Sequence, residues 1–290
     1  MRIVYHLGAH FTDEERLLKC LLKDRDILAK HNVSVPGPKR YRHLLRDTVK
    51  ELKGAPADPN TQAMILDKIL ELDIADRLIL SWDSFLSLPP WVLDKQLYPV
   101  AGQRVQAFSQ IFPAIEAEFF MALRNPATFL PMLFQRIDAK SYEDFLGATD
   151  IFKLTWSDTI ERIMRVSPGV PLTVWCDEDT PLIWPEVLRA VAGLPQEVAL
   201  SGDDDLLATL MPPEGLARLQ SYLNSHPPAS VAQRRKIVSA FLEKFAIPEV
   251  LEAEVDMPGW TQEVVDALSE LYAQDVARIM QMPGVTFLAA

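Results

Sequence analysis

The sequence predicts an α/β fold, a parallel sheet covered by helices on both faces and followed by a helical extension. Three observations carry this reading. Short apolar runs lack the strict alternation of a half-exposed sheet. Helical patterns separate those runs, as in strand–helix–strand units with right-handed crossovers. After Leu200 the pattern becomes wholly helical and is punctuated by proline. The chain therefore divides into a core over residues 1–200 and a helical extension over 201–290, packed on the core as one structural unit.

The strands are expected at Ile3 to Leu7, Leu78 to Ser81, Phe119 to Leu123 and Leu172 to Trp175. Thr12 and Glu15 have capping-box spacing, and Leu17, Leu18, Leu21, Leu22 and Leu28 repeat at helical intervals, which predicts one helix running through Lys30. Further helices are predicted over Tyr41 to Leu52, Thr61 to Leu72, Gln103 to Phe112, Ala127 to Ile137, Thr155 to Val166 and Pro185 to Ala192. In the extension they cover Pro213 to Ser225, Ser230 to Phe245 and Thr261 to Met280, with breaks at Pro212-Pro213, Pro227-Pro228 and Pro258-Gly259. Ser87 to Ala101 is the longest irregular stretch of the core. It follows the second predicted strand, where parallel sheets place ligands, and reads as a substrate loop.

With 290 residues and 49% hydrophobic composition, the chain can bury a large core. Its 40 acidic and 29 basic residues give a net charge of −11, which disfavours nucleic acid and anionic membranes as partners. Two cysteines, Cys20 and Cys176, are too few for a disulfide framework and lack metal-ligand spacing. Together with the absence of a leader-like start and of any apolar run near the roughly 18 residues of a membrane span, they predict a soluble cytoplasmic protein with no metal site.

The most informative junction is near the start, where Ile3-Val4-Tyr5-His6-Leu7 meets Gly8-Ala9-His10-Phe11-Thr12 and then Asp13-Glu14-Glu15. A strand–glycine loop–helix start offers free backbone N–H groups and the positive end of a helix dipole to an anion. Here carboxylates stand in that place. They would oppose a polyphosphate, and they also suit an ordinary helix start.

His6 and His10 span a strand end and a loop, so they are not a helical metal pair. His6 reads as a buried, hydrogen-bonded histidine, whereas His10 is open to packing or to a role as acid, base or donor. Arg124, ahead of Asn125-Pro126, could clamp a phosphate at the sheet edge or form a surface ion pair. Asp83, just past the second strand, could act as a base or sit in a solvated turn. Asp177-Glu178-Asp179 and Asp203-Asp204-Asp205 lack calcium-loop spacing and read as solvated turns. Arg234-Arg235-Lys236 reads as a solvated face or a phosphate contact, and Trp175, Trp184 and Trp260 as packing residues.

Taken together these segments resemble the sulfotransferase family, in particular bacterial members that open with a His-x-Gly-x-His-Lys-Thr-Gly-Thr-Thr/Ser loop. The stretch His6 to Glu15 aligns with that loop. Leu78 to Asp83 looks like the strand ending in Ser-x-Glu, and Phe120 to Pro126 like the strand with the 3′-phosphate-binding arginine. Leu172 to Asp179, then Trp184 to Leu188, resemble the later strand and its helix, and Tyr272 to Asp275 is similar to part of the terminal helix.

The resemblance implies a P-loop NTPase-like, three-layer fold. It also implies 3′-phosphoadenosine 5′-phosphosulfate as donor, contacted by Gly8, His10, Thr12 and Arg124, with His10 and Asp83 as catalytic residues. The acceptor would be a hydroxyl or amine on a small molecule or glycan. Against the family pattern, Phe11 replaces the loop lysine, Asp13 the glycine, Glu14 and Glu15 the hydroxyls, and Met132 a serine that holds the 3′-phosphate. Each lost charge-assisted hydrogen bond removes about 1.5–3 kcal/mol. The expected role is therefore a noncatalytic one in binding or interaction, with a protein partner or a small ligand. The rivals are a working transferase with an altered donor or a repositioned cation, and a structural subunit whose helical tail docks a partner.

Overall fold

The computed structural model describes residues 1–251 and 257–290. The strands β1 (Arg2–His6), β2 (Val33–Ser34), β3 (Arg77–Ser81), β4 (Glu116–Leu123), β5 (Leu172–Cys176) and β6 (Val285–Phe287) form one six-stranded sheet in the order β2-β3-β1-β4-β5-β6. Every pairing is parallel, and β1 lies between β3 and β4, with His6 opposite Ser81 and Phe120. From β1 the chain runs outward to β2, and after β3 it crosses back over β1 to β4. The carboxyl ends of β1 and β4 thus flank a topological switch point, where open α/β sheets bind ligands.

The first helices are α1 (Arg16–Lys23), α2 (Arg25–Lys30), α3 (Pro38–Leu52), α4 (Pro59–Ile69), α5 (Ala101–Ser109), α6 (Pro126–Ile137), α7 (Tyr142–Leu146) and α8 (Trp156–Val166). They are followed by α9 (Thr180–Ala192), α10 (Leu207–Leu210), α11 (Pro213–Ser225), α12 (Val231–Phe245), α13 (Pro248–Leu251) and α14 (Gln262–Ile279). The two-residue period of the strands sorts side chains between two layers. Ile3, Tyr5, Leu78, Leu80, Phe119 and Met121 pack toward α3 to α6, α8 and α14, while Val4, Ile79, Phe120 and Trp175 pack toward α1, α2 and α9. A smaller cluster of Leu207, Met211, Leu219 and Val238 holds α10, α11 and α12 together.

The four expected strands are present. The sequence reading missed β2 and β6, which have two and three residues, below the length at which a pattern shows. β6 also corrects the expectation that the chain is wholly helical after Leu200, because it returns to the sheet beside β5. The single helix expected from Thr12 to Lys30 is two. It breaks at Asp24, whose carboxylate accepts a hydrogen bond from the Ser201 amide at 2.8 Å. The helix expected to start at Pro185 begins at Thr180, with Pro181 in its first turn, where the missing amide costs no hydrogen bond.

Candidate functional site

The loop after β1 continues the ladder with β4: Leu7 donates to Phe120 O (2.8 Å), Ala9 to Ala122 O (3.1 Å) and Ala122 to Gly8 O (2.6 Å). Gly8 has φ +97°, and a Cβ there would lie 3.2 Å from the Asp83 backbone, so only glycine lets the β1 and β3 loops approach this closely. Its peptide bond to Ala9 is cis. Phe11, Glu14 and Glu15 all adopt positive φ, which prevents a regular helix from starting at Thr12.

The expected Thr12–Glu15 capping box is therefore not formed. The Thr12 hydroxyl donates to Ala9 O at 2.8 Å, and the Glu15 side chain makes no cap bond and pairs with Arg42. The cap comes instead from Asp13, whose carbonyl accepts from the Arg16 amide (2.8 Å) and whose Oδ2 accepts from the Leu17 amide (3.0 Å). A side-chain anion thus occupies the helix start to which a phosphate would bind.

Between this loop, the end of β3 and α6 lies a cavity of about 490 Å3. His6, Gly8, His10, Asp13, Glu14, Ser81, Asp83, Met132 and Gln135 line it, together with the guanidiniums of Arg42 and Arg136. His6 and His10 are buried, with 1% and 3% of their surface exposed. His6 stacks nearly parallel on Trp175, and its Nδ1 lies 2.9 Å from Ser81 Oγ. The Nε2 atoms of both histidines are buried without a hydrogen-bond partner among the described residues. Burial lowers both imidazole pKa values, with nearby carboxylates opposing the shift.

The Tyr98 hydroxyl accepts from the His10 amide (3.0 Å) and lies 2.8 Å from His10 Nδ1. The phenol accepts from the His10 amide, and Nδ1 is the one acceptor found within reach of its own proton among the described residues, so the hydroxyl donates to Nδ1. Neutral His10 then carries its own proton on Nε2, which lies 3.8 Å from Asp83 Oδ2. That span is too long for a hydrogen bond. Asp83 is 49% exposed on its side chain and accepts from Ser84 Oγ at 3.1 Å, leaving Oδ2 available.

Of the residues singled out in the sequence, Gly8, His10 and Asp83 line the cavity, and Thr12 and Arg124 do not. Arg124 donates to Phe11 O and, through Nε, to Thr128 Oγ1 (3.1 Å), and it meets Asp177 Oδ2 at 3.3 Å. It fastens the loop after β1 to the end of β5. The expected substrate loop, Ser87 to Ala101, contributes Pro89 to the cavity wall and Tyr98 beneath His10, while Val92, Leu97 and Tyr98 are buried.

The acidic runs expected as solvated turns are engaged. Asp177 faces Arg124, and Glu178 accepts from the Asn125 amide (2.7 Å) and from the Tyr272 hydroxyl (3.1 Å). Asp203 binds Arg189 through both oxygens (2.8 and 2.6 Å), and Asp205 pairs with Lys23. Arg234 and Arg235 likewise pair with Asp204 and Glu186, so that cluster is not a free solvated face.

Sequence reasoning missed Arg42, Gln135 and Arg136. The signal for Arg136 was its place on α6 one turn beyond Met132, which puts it on the same helix face. Among the described residues no His, Cys, Asp and Glu group of three or more is arranged to hold a metal ion, and no helix is long and apolar enough to cross a membrane. No protein-family model, no curated protein and no solved structure matches this chain.

Proposed function

We propose that this chain is a P-loop-type, sulfotransferase-like protein that does not bind a phosphosulfate donor and serves as a noncatalytic binding protein through the cavity beside β1. The observation that carries the reading is the Asp13 carboxylate on the Leu17 amide. Further support comes from the loop itself. The amides of Leu7, Ala9, His10, Arg16 and Leu17 are already hydrogen-bonded within the protein, and Arg124 is engaged by Phe11, Thr128 and Asp177. A donor phosphate would have to displace Asp13 from the Leu17 amide and would meet the carboxylates of Asp13, Glu14 and Glu15. A cytoplasmic location belongs to the same reading and is supported by the buried free thiols of Cys20 and Cys176.

One observation favours a second reading, an active transferase with an altered donor and a hydroxyl or amine acceptor. Arg136 is exposed on the cavity wall and has no ion-pair partner among the described residues, so it is a cation in a new position beside His10 and Asp83. Calorimetric titration with 3′-phosphoadenosine 5′-phosphate at low and moderate salt separates the two. No heat at millimolar ligand is expected, and micromolar binding would overturn the first reading in favour of the second.

A further inference from the structure

The cavity beside β1 is acidic. Four carboxylates, of Asp13, Glu14, Glu15 and Asp83, face two guanidiniums, of Arg42 and Arg136. Burial keeps both imidazoles neutral, which leaves an excess of negative charge in a space of about 490 Å3. A concave site of this sign concentrates cations and repels anions. Acidic surface alone selects nothing, but the buried end of this cavity holds two further features that point to a ligand.

The first is the pair of imidazole Nε2 atoms, both buried without a partner among the described residues and both belonging to residues that line the cavity. Burying such a group unpaired is costly, so a ligand that pairs with it recovers that cost on binding. The second is the spacing of His10 Nε2 and Asp83 Oδ2 at 3.8 Å. Tyr98 fixes His10 with its proton on Nε2, so a donor faces an acceptor across a gap too long for a direct bond. One oxygen set to the side of that line reaches both at ordinary hydrogen-bond length, provided it can accept and donate at once. A hydroxyl does this, whereas an ionised carboxylate or phosphate oxygen cannot donate to Asp83.

We propose that the cavity binds a hydroxyl-bearing primary amine of the amino-alcohol or amino-polyol class, one hydroxyl bridging His10 Nε2 and Asp83 Oδ2 and the ammonium lying among the cavity carboxylates. This assignment rests on the proposed loss of donor binding at the same cavity. Asp13 stays on the Leu17 amide and Glu15 on Arg42, so the carboxylate that meets the ammonium is that of Glu14, which has no ion-pair partner among the described residues. Arg136, at the rim, leaves room for a polar group at the far end of the ligand.

The test is calorimetric titration of the purified protein with glucamine (1-amino-1-deoxysorbitol) and with sorbitol, which has the same hydroxyl chain without the ammonium. Glucamine is expected to bind in the millimolar range or tighter, and sorbitol about 10-fold or more weakly. Asp83→Asn should weaken glucamine by a similar factor, since the amide neither carries the charge nor accepts equally well. Glu14→Gln, at an exposed position, should weaken it in the same direction without disturbing the fold. The assignment is overturned if glucamine gives no heat at ten times that range, if sorbitol binds as well, or if neither variant changes the affinity. A parallel titration with 3′-phosphoadenosine 5′-phosphate keeps the two ideas apart. Nucleotide binding defeats the loss-of-donor reading whatever the amine does, and silence from both ligands defeats only the amine assignment.

Discussion

The Tyr98 hydroxyl sits 3.0 Å from the backbone nitrogen of His10 and 2.8 Å from its Nδ1, so one phenol satisfies two polar atoms of the same buried residue. It also decides where the imidazole proton resides, and so whether the cavity meets a donor or an acceptor. Tyr98→Phe should leave the His10 amide and Nδ1 unpaired and cost about 1–3 kcal/mol, read from urea unfolding. In nitrogen NMR the wild-type ring should show its proton on Nε2. A Nδ1-protonated ring would contradict the geometry.

Asp13 caps α1 through both its carbonyl and its carboxylate. Asp13→Ala should lower stability by about 1 kcal/mol, as the loss of a side-chain cap does. The same variant should bind sulfate more tightly than the wild type, because the helix start then has an unoccupied amide and one fewer negative charge. Unchanged sulfate affinity would mean that other groups control access to that amide.

Acid should destabilise the protein through His6 and His10. Their folded pKa values lie below the ordinary 6.5, since burial penalises the imidazolium. Below pH 6.5 the unfolded chain takes up protons that the folded protein refuses, so stability is full above that pH and declines as pH falls, by up to about 1.4 kcal/mol per pH unit for each histidine. His6→Asn should flatten this slope in unfolding midpoints measured between pH 7 and pH 5. A slope unchanged by the substitution would place the acid sensitivity elsewhere.

Asp177 gives the opposite slope. Burial raises its pKa to about 8, against the pull of Arg124. Between the ordinary carboxylate value of 3.8 and about 8, the folded protein holds a proton that the unfolded chain has released. This contribution is therefore present at low pH and lost as pH rises through that window. Asp177→Asn, which cannot titrate, should gain stability relative to the wild type from pH 4.5 to pH 8. A constant difference between the two proteins would show that Asp177 ionises normally.

The core strands were legible because the central residues of β1, β3 and β5 and the second half of β4 are buried on both faces, and such stretches are predominantly apolar. β2 and β6 were not, since strands this short gain their stability from the neighbour they pair with. The break at Asp24 depends on Ser201, and Asp177 depends on Arg124, residues far apart in the chain, which local periodicity cannot register. The same division holds at the cavity. His6, Gly8, His10 and Asp83 stand at strand ends, where position alone assigns them to the carboxyl edge of a parallel sheet. Arg42 and Arg136 arrive from α3 and α6, whose distance from that edge is set by core packing.

Because Asp13 is tethered a few residues from the amide it occupies, it acts as an intramolecular competitor whose local concentration does not change with the surroundings. For groups joined by a short linker such effective concentrations are on the order of millimolar or above. A free anion must exceed that level before it displaces the carboxylate, so ordinary swings in phosphate or sulfate leave the loop untouched. The start of α1 is in this sense buffered against inorganic anions, and the occupancy of the neighbouring cavity is set by other solutes.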